Sequence, residues 1–339
     1  MSFYLSIALA FATSIILTVV VMPFVISLSK KLKLRQTILH YVDNHTSKSG
    51  TPTFGGIGFI IVVSLVSILF FNKTNTLAFV CIAVFAGYGI IGFLDDFIKI
   101  YFRRNKGLNV VQKIIAQLGL SIILSYYAYS RADVGSFLWI PFFIGIVDIG
   151  WLIIPFNILV IVALTNAVNL IDGLDGLASK VSIIFLLGTI GIIFLLIMIN
   201  QSLTISLLGE YRNILIFCIV LLGGLIGFLS FNAYPAKIFM GDTGALAIGG
   251  GLSCVMIFTR LSLFSPLLGI MYTLTALSVL MQVVYYKFTK KRIFLMAPIH
   301  HHFERKGIHE NIVSVGYTII SLIICVIVLI LSMWLGIQH

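Results

Sequence analysis

Ile183-Ile-Phe-Leu-Leu-Gly-Thr-Ile-Gly-Ile-Ile-Phe-Leu-Leu-Ile-Met-Ile199 carries no charged residue and no alternation of apolar with polar positions. Strands of a membrane barrel alternate lipid-facing and lumen-facing side chains, so an uninterrupted run of this kind belongs to a helix, which pairs its backbone groups internally. Similar runs flank it on both sides. A hydrocarbon core of about 30 Å takes about 20 apolar residues per helical crossing. On that ruler the chain has ten spans, at about 3–29, 54–71, 76–94, 110–129, 151–170, 181–199, 213–230, 244–259, 263–286 and 312–336. The expected fold class is all-α: a polytopic integral membrane protein of ten transmembrane helices, with residues 1–339 as one domain. No soluble segment interrupts the spans, and no repeat period is visible. With 60% hydrophobic and only 10% charged residues, the composition excludes an ordinary soluble globular domain.

The basic residues orient the spans. One side receives Lys30, Lys31, Lys33, Arg35, Lys48, Lys99, Arg103, Arg104, Lys106, Lys113, Lys180, Lys237, Lys287, Lys290, Lys291, Arg292, Arg305 and Lys306. The other holds only Lys73, Arg131, Arg212 and Arg260 of the 22. The positive-inside rule therefore makes the first side cytoplasmic and both termini extracytoplasmic. The net charge of +11 is concentrated where anionic lipid and anionic metabolites lie, and no nucleic-acid partner is expected. The first span lacks a preceding basic residue and a small-residue cleavage pattern, and Lys30 and Lys31 follow it, so it reads as a retained helix. Cys81, Cys218, Cys254 and Cys325 fall in separate spans without paired spacing, as packing residues do. Around 130–150, Trp139, Pro141, Phe142, Phe143 and Trp151 suggest a hairpin or short helix resting in the membrane interface.

Five of the eleven acidic residues lie in three motifs at the cytoplasmic ends of spans. Membrane-embedded carboxylates are costly and point to function. In Asp95-Asp96-Phe-Ile-Lys99, a continuing helix would place Asp95 and Lys99 on one face; a surface ion pair accounts for one Asp and leaves the second unexplained. In Asn166-Ala-Val-Asn169-Leu-Ile-Asp172-Gly-Leu-Asp175-Gly, polar residues recur every third position and share a stripe while the backbone is helical. Gly173 and Gly176 then let the backbone approach a ligand. In Phe239-Met-Gly-Asp242-Thr-Gly244, Asp242 opens a helix, as a capping residue or as one of the few carboxylates that hold Mg²⁺ beside substrate phosphates. Lys48-Ser-Gly-Thr51-Pro-Thr53 offers a cation and hydroxyls to a phosphate. His300, His301 and His302 diverge by about 100° per residue on a helix, which disfavours a shared metal and favours hydrogen bonding to a phosphate or sugar. Together these residues fit phosphoryl transfer, in which catalysis is mostly positioning and charge stabilisation, with one substrate a lipid.

Across essentially the whole chain these motifs, with Ala297-Pro-Ile-His-His-His-Phe-Glu304, resemble the bacterial phospho-N-acetylmuramoyl-pentapeptide transferases, a branch of the polyprenyl-phosphate N-acetylhexosamine-1-phosphate transferases. Lys99 and the triple histidine beside Pro298 favour that branch. The resemblance implies ten transmembrane helices, usually dimeric, and a Mg²⁺-dependent reaction of undecaprenyl phosphate with UDP-MurNAc-pentapeptide that releases UMP and forms lipid I for peptidoglycan. By matched motif, Asp242 would bind Mg²⁺, and Asp95 and Asp96 would act at the lipid phosphate or the metal. Lys48, Thr53, Lys99, Asn166, Asn169 and Asp172 would shape the diphosphate and nucleotide site. Phe239 would stack on uracil with Asn232 and Asp175 nearby, His300, His301 and His302 would meet the sugar-peptide side, and Gln282 would join the substrate-binding set. Ile171, Ala245 and Val111 stand where Thr, Ser and a basic residue are usual, which leaves Lys113 as the phosphate contact near Val111. A sister GlcNAc-1-phosphate transferase and an ion-coupled transporter are the rival readings; the transporter would carry inverted repeats and mid-membrane charges.

Overall fold

In hydrocarbon every backbone N–H and C=O must find a partner inside the protein, and apolar runs of this length meet that demand as helices. The computed structural model describes residues 2–32, 50–102, 107–142, 145–199 and 204–337. Its helices are α1 (Phe3–Lys31), α2 (Gly55–Phe70), α3 (Leu77–Tyr101), α4 (Val110–Ser130), α5 (Ile153–Ile171), α6 (Leu177–Ile199), α7 (Ile205–Asn232), α8 (Gly241–Phe258), α9 (Ser265–Leu268), α10 (Ile270–Thr289), α11 (Ile299–Arg305) and α12 (Glu310–Ile337). Eight of them are long and apolar enough to cross a membrane, or nine when the pair formed by residues 262–268 and α10, bent by 84°, counts as one. α2 has 16 residues, about 24 Å at 1.5 Å per residue, and falls short of that length. Of the hairpin or short helix expected around 130–150, the structure shows a hairpin: β1 (Phe137–Trp139) pairs antiparallel with β2 (Ile146–Asp148), Leu138 opposite Val147.

α7 and α8 form the centre and are mostly buried, whereas α1 and α4 are mostly exposed. Lipid tails are as apolar as leucine, so helices associate through close packing at small residues and not through hydrophobic exclusion. The α3–α8 contact follows that rule. A Cβ on Gly92 would lie 2.1 Å from the Asp242 carbonyl oxygen, and one on Gly250 would lie 2.5 Å from the Tyr88 ring. A Cβ on Gly249 of α8 would likewise stand 2.5 Å from the Thr165 Cα in α5. The N-terminus of α8 is thus wedged between α3 and α5, and whatever it carries sits beside theirs.

The opposite end of α3 is held by a charge. Glu210 of α7, 3% exposed, accepts the Thr76 and Leu77 N–H groups at 2.9 Å each, capping α3 from another helix. Asn213, one turn along, accepts from Asn72 N–H at 3.0 Å and donates to Asn72 O at 2.8 Å. Glu210→Ala orphans two buried donors, at about 1–3 kcal/mol each. Thermal unfolding of the purified protein in detergent should show a clear loss of stability, and Glu210→Gln, which keeps one acceptor, should lose less. Equal stability of all three proteins would refute the cap.

Candidate active site

Four helix ends meet at one place: the C-terminal turns of α3 and α5 and the N-terminal turns of α4 and α8. Asp95 and Asp96 of α3 and Asp242 of α8 each offer a carboxylate oxygen within 4.8 Å of the others. Lys99 Nζ sits among them, 2.6 Å from Asp95 Oδ2, 3.0 Å from Asp242 Oδ2 and 3.7 Å from Asp96 Oδ1. Lys113 of α4 reaches Asp242 Oδ2 at 2.8 Å, and Asn169 of α5 donates to Asp242 Oδ1 at 2.9 Å. Asp242 is therefore the hub. Its carboxylate is taken up by α3, α4 and α5 and by no N–H of its own helix among the described residues, which sets the capping role aside.

The neighbouring backbone fixes the two α3 carboxylates. Asp95 Oδ1 accepts from Leu108 N–H at 2.9 Å. Asp96 Oδ2 accepts from Thr243 twice, through its N–H at 2.9 Å and its hydroxyl at 2.8 Å. Gly241 has φ +73°, and a Cβ there would stand 2.6 Å from Asp96 Oδ2 and 3.0 Å from Thr53 Oγ1. Only glycine fits that turn and that contact. Thr53 is thereby placed beside Asp96, although it lies 43 positions before that carboxylate in the chain.

The segment bearing Phe239 is braced from both sides. Phe239 N–H donates to Pro52 O and Gly55 N–H donates to Phe239 O, both at 2.9 Å. Asn232 Nδ2 donates to Ile238 O at 3.1 Å, and its Oδ1 accepts from Ser179 at 3.0 Å. Asp175 Oδ2 accepts from Ala236 N–H at 2.9 Å. Asn232 and Asp175 thus shape the loop under Phe239.

The stripe Asn166–Asn169–Asp172 is broken at its end. α5 stops at Ile171 and Asp172 is its C-cap, with ψ 50°. Loss of solvation first, then the charges of Asp242, Asp96 and Asp175, pushes the Asp172 carboxyl up to about 8. Asn166 faces Gln117 of α4, donating to its Oε1 at 2.7 Å. Lys113, Gln117 and Ser121 recur every fourth residue along one face of α4, a signal in the sequence that points to Gln117. Thr243 is the other partner that motif reading passed over, and only its contact with Asp96 reveals it.

The three histidines do not all diverge as their spacing predicts: the rings of His300 and His301 lie 4.3 Å apart, centroid to centroid, and only His302 turns away from that pair. His301 Nδ1 lies 2.6 Å from Glu304 Oε2, and His302 Nδ1 accepts from Leu295 N–H at 3.1 Å. His300 is fully buried, and neither ring nitrogen has a partner among the described residues. Both His300 and His301 lie against Gly173, where a Cβ would be 2.5 Å and 3.0 Å from their Nε2 atoms. Gln282 is in the wall of a cleft beside α10, where its Oε1 accepts from Phe294 N–H at 2.9 Å. Lys48 lies outside the described residues.

A profile of Glycosyl transferase family 4 matches residues 78–260, from α3 through α8, and so contains all three clustered carboxylates. Among curated proteins, the chain is 41% identical to the phospho-N-acetylmuramoyl-pentapeptide-transferase of Clostridium kluyveri over 306 residues, covering 90% of this chain and 92% of the relative. It is 42% identical to the protein of the same name from Caldanaerobacter subterraneus subsp. tengcongensis, covering 92% and 95%, and 39% identical to that of Clostridioides difficile, covering 91% and 92%. The chain belongs to the phospho-N-acetylmuramoyl-pentapeptide-transferase family. It is a membrane-embedded transferase of peptidoglycan synthesis. In this transferase the donor set fits a hard divalent cation: three carboxylate oxygens converge on one point, and a lysine ammonium already stands there as a cation.

Burial, then the neighbouring His301, holds the His300 imidazole down at about 3, from an ordinary value of 6.5. The folded protein keeps this ring neutral while the unfolded chain takes up a proton below 6.5, so stability is present above 6.5 and is lost as pH falls towards 3. Between pH 7 and pH 5 the loss is about 2 kcal/mol. Denaturation at the two pH values should show it in the native protein and show correspondingly less in His300→Phe. Equal pH dependence in both would contradict the assignment.

Proposed function

We propose that the protein transfers phospho-MurNAc-pentapeptide from UDP-MurNAc-pentapeptide to undecaprenyl phosphate, giving lipid I and UMP in a Mg²⁺-dependent reaction. The observation that carries this reading is the convergence of Asp95, Asp96 and Asp242 with Lys99 and Lys113 at the meeting of four helix ends. The names of the relatives support the choice of donor. α2 and the bent pair, each taken as one crossing, bring the count to ten spans. The bias of basic residues then supports extracytoplasmic termini and an active site on the cytoplasmic face of the bacterial inner membrane. Pairing into a homodimer is carried over from the family resemblance.

The two lysines neutralise the diphosphate of the donor and the phosphate of the acceptor, and so let two anions approach. An acceptor phosphate oxygen attacks the β-phosphorus of the donor, the bond from that phosphorus to the bridging oxygen breaks, and UMP leaves with the electron pair. A phosphomonoester with a second pKa of about 6 is largely dianionic at neutral pH, so the acceptor needs little activation and no aspartyl-phosphate is required. Asp95 and Asp96 hold the acceptor phosphate or take its residual proton. Asp242, with Asp95 and Asp96, would hold Mg²⁺, which supplies charge neutralisation to the diphosphate and the leaving group. Phe239 stacks on uracil above the loop that Asn232 and Asp175 shape. Lys48, Thr53, Asn166, Asn169 and Asp172 line the diphosphate and nucleotide side, and the histidines and Gln282 meet the sugar and peptide.

Release of UMP from UDP-MurNAc-pentapeptide in the presence of undecaprenyl phosphate tests the reading directly, and turnover of UDP-GlcNAc in its place would assign the protein to the sister branch. Asp242→Asn should fold and lower kcat by about 10²–10³, the cost of removing one preorganised charge contact to the transition state. Phe239→Ala should weaken nucleotide binding by about 1–3 kcal/mol, the value of an aromatic plane stacked on a base. Calorimetry on the folded variant checks the second figure, and an unchanged affinity would place the uracil elsewhere.

A further inference from the structure

Of the four helices that meet at the active site, α4 is the least embedded. Its Val110, Val111, Ile114, Ile115, Ile122 and Ile123 all face outward. Where α3 and α5 meet α8 at glycines, a Cβ on Gly119, the glycine of α4, would find nothing within 4 Å among the described residues. Yet α4 supplies Lys113, whose ammonium stands 2.8 Å from Asp242 Oδ2 and 3.3 Å from Asn169 Oδ1. A lysine is a point charge on a flexible stem, so its place is only as definite as that of the helix that carries it. What sets the height and rotation of α4 therefore also sets this charge against the carboxylates.

Between Val110 and Leu120 one residue of α4 is buried, and it is a glutamine. Two rungs join α4 to α5 in antiparallel order, Lys113 to Asn169 at the helix ends and Gln117 to Asn166 one turn deeper. Gln117 Oε1 accepts from Asn166 Nδ2 at 2.7 Å, and Gln117 Nε2 faces Asn166 Oδ1 at 3.5 Å. Asn166 Nδ2 also donates to Val162 O at 2.8 Å, so both protons of that amide are used within the bundle. The main-chain carbonyl of Gln117 accepts from the Tyr88 hydroxyl of α3 at 3.0 Å and from Ser121 Oγ at 2.7 Å. Tyr88 is itself closed in by Gly250 of α8. One residue of α4 is thus bonded to both α3 and α5, about 6 Å along the axis from Lys113.

An interhelical amide pair inside a membrane adds little to stability, because separated helices find other partners for the same groups. It is selective for position instead. A glutamine amide turned towards hydrocarbon loses its bonds with no water to replace them, so one height and rotation of α4 keeps Gln117 paired. We infer that Gln117 is a positioning residue for the transfer: its pair with Asn166 fixes α4 against α5 and so holds the Lys113 ammonium at Asp242. Gln117 is itself buried and acts through Lys113. The inference rests on the role given to Lys113 under Proposed function and adds the residue that keeps that lysine in place.

The test is a double-mutant cycle on the full-length protein, with release of UMP as the readout. Gln117→Met keeps the length of the side chain and removes the amide. Its kcat should fall by about 10- to 100-fold, the scale on which a displaced group is felt, with KM for the nucleotide donor nearly unchanged. Lys113→Ala should lower kcat as well. In Lys113→Ala/Gln117→Met the kcat should stay at the value of Lys113→Ala alone, since the glutamine then has no lysine to place. Losses that multiply, a Lys113→Ala protein with native kcat, or a Gln117→Met protein changed only in KM would each overturn the inference. Should Gln117→Met not fold, Tyr88→Phe removes one bond to the Gln117 carbonyl, and the same pattern at smaller size is then required. A second measurement needs no turnover. Acylation of lysines by acetic anhydride, read by mass spectrometry, should be slow at Lys113 in the native protein and several times faster in Gln117→Met, with Lys237 unchanged. Equal acylation of Lys113 in both proteins contradicts the placement. Failure of the donor assignment has a different signature: the wild type would release UMP from another nucleotide sugar or from none, while the acylation result would stand.

Discussion

Everything at the active site depends on one constraint: carboxylates at the edge of hydrocarbon cannot stay ionised without partners. Asp242 meets that constraint with a lysine from α3, a lysine from α4 and an amide from α5. Three helices are thereby tied to the first turn of a fourth. The same pairs that hold the anionic group also hold the helix ends, so this charge arrangement keeps the bundle closed at this end. The N-termini of α4 and α8 add their positive dipole ends to the same point.

Close packing makes this arrangement possible. Gly92 lets the Asp242 backbone lie directly against α3, and Gly249 lets α8 touch α5, so four helix ends fit into the space that a few side chains span. α3 is fixed at both ends by charge, Asp95 and Asp96 at one and the Glu210 cap at the other. A helix held in this way has little freedom to slide along its axis, and the carboxylates near its end keep their register against Asp242.

Around this centre the loops are held by hydrogen bonds from side chains of other elements. Ser179, Asn232 and Asp175 hold the segment before α8, and α11 lies across Gly173. The bend before α10 opens a cleft lined by Lys287, Lys290 and Arg292.

The helical, membrane-spanning character of the chain was determined by the sequence alone, because a run such as Ile183–Ile199 has no other way to pair its backbone in lipid. The three acidic motifs were equally legible, since carboxylates at span ends stand out against so apolar a background, and the family profile spans all three. Spacing within one helix was legible too, and the Asp95–Lys99 pair is the case in point. What crosses from one helix to another was not. That Asp242 serves as the hub, that Asn166 turns to Gln117, that Thr243 holds Asp96 and that Glu210 caps α3 were decided only by the tertiary structure. Periodicity tells which face of a helix a residue occupies, but not which helix packs there or at what height. Among apolar helices that choice is made by glycine-sized gaps and a few buried polar bonds, brought together from positions far apart in the chain.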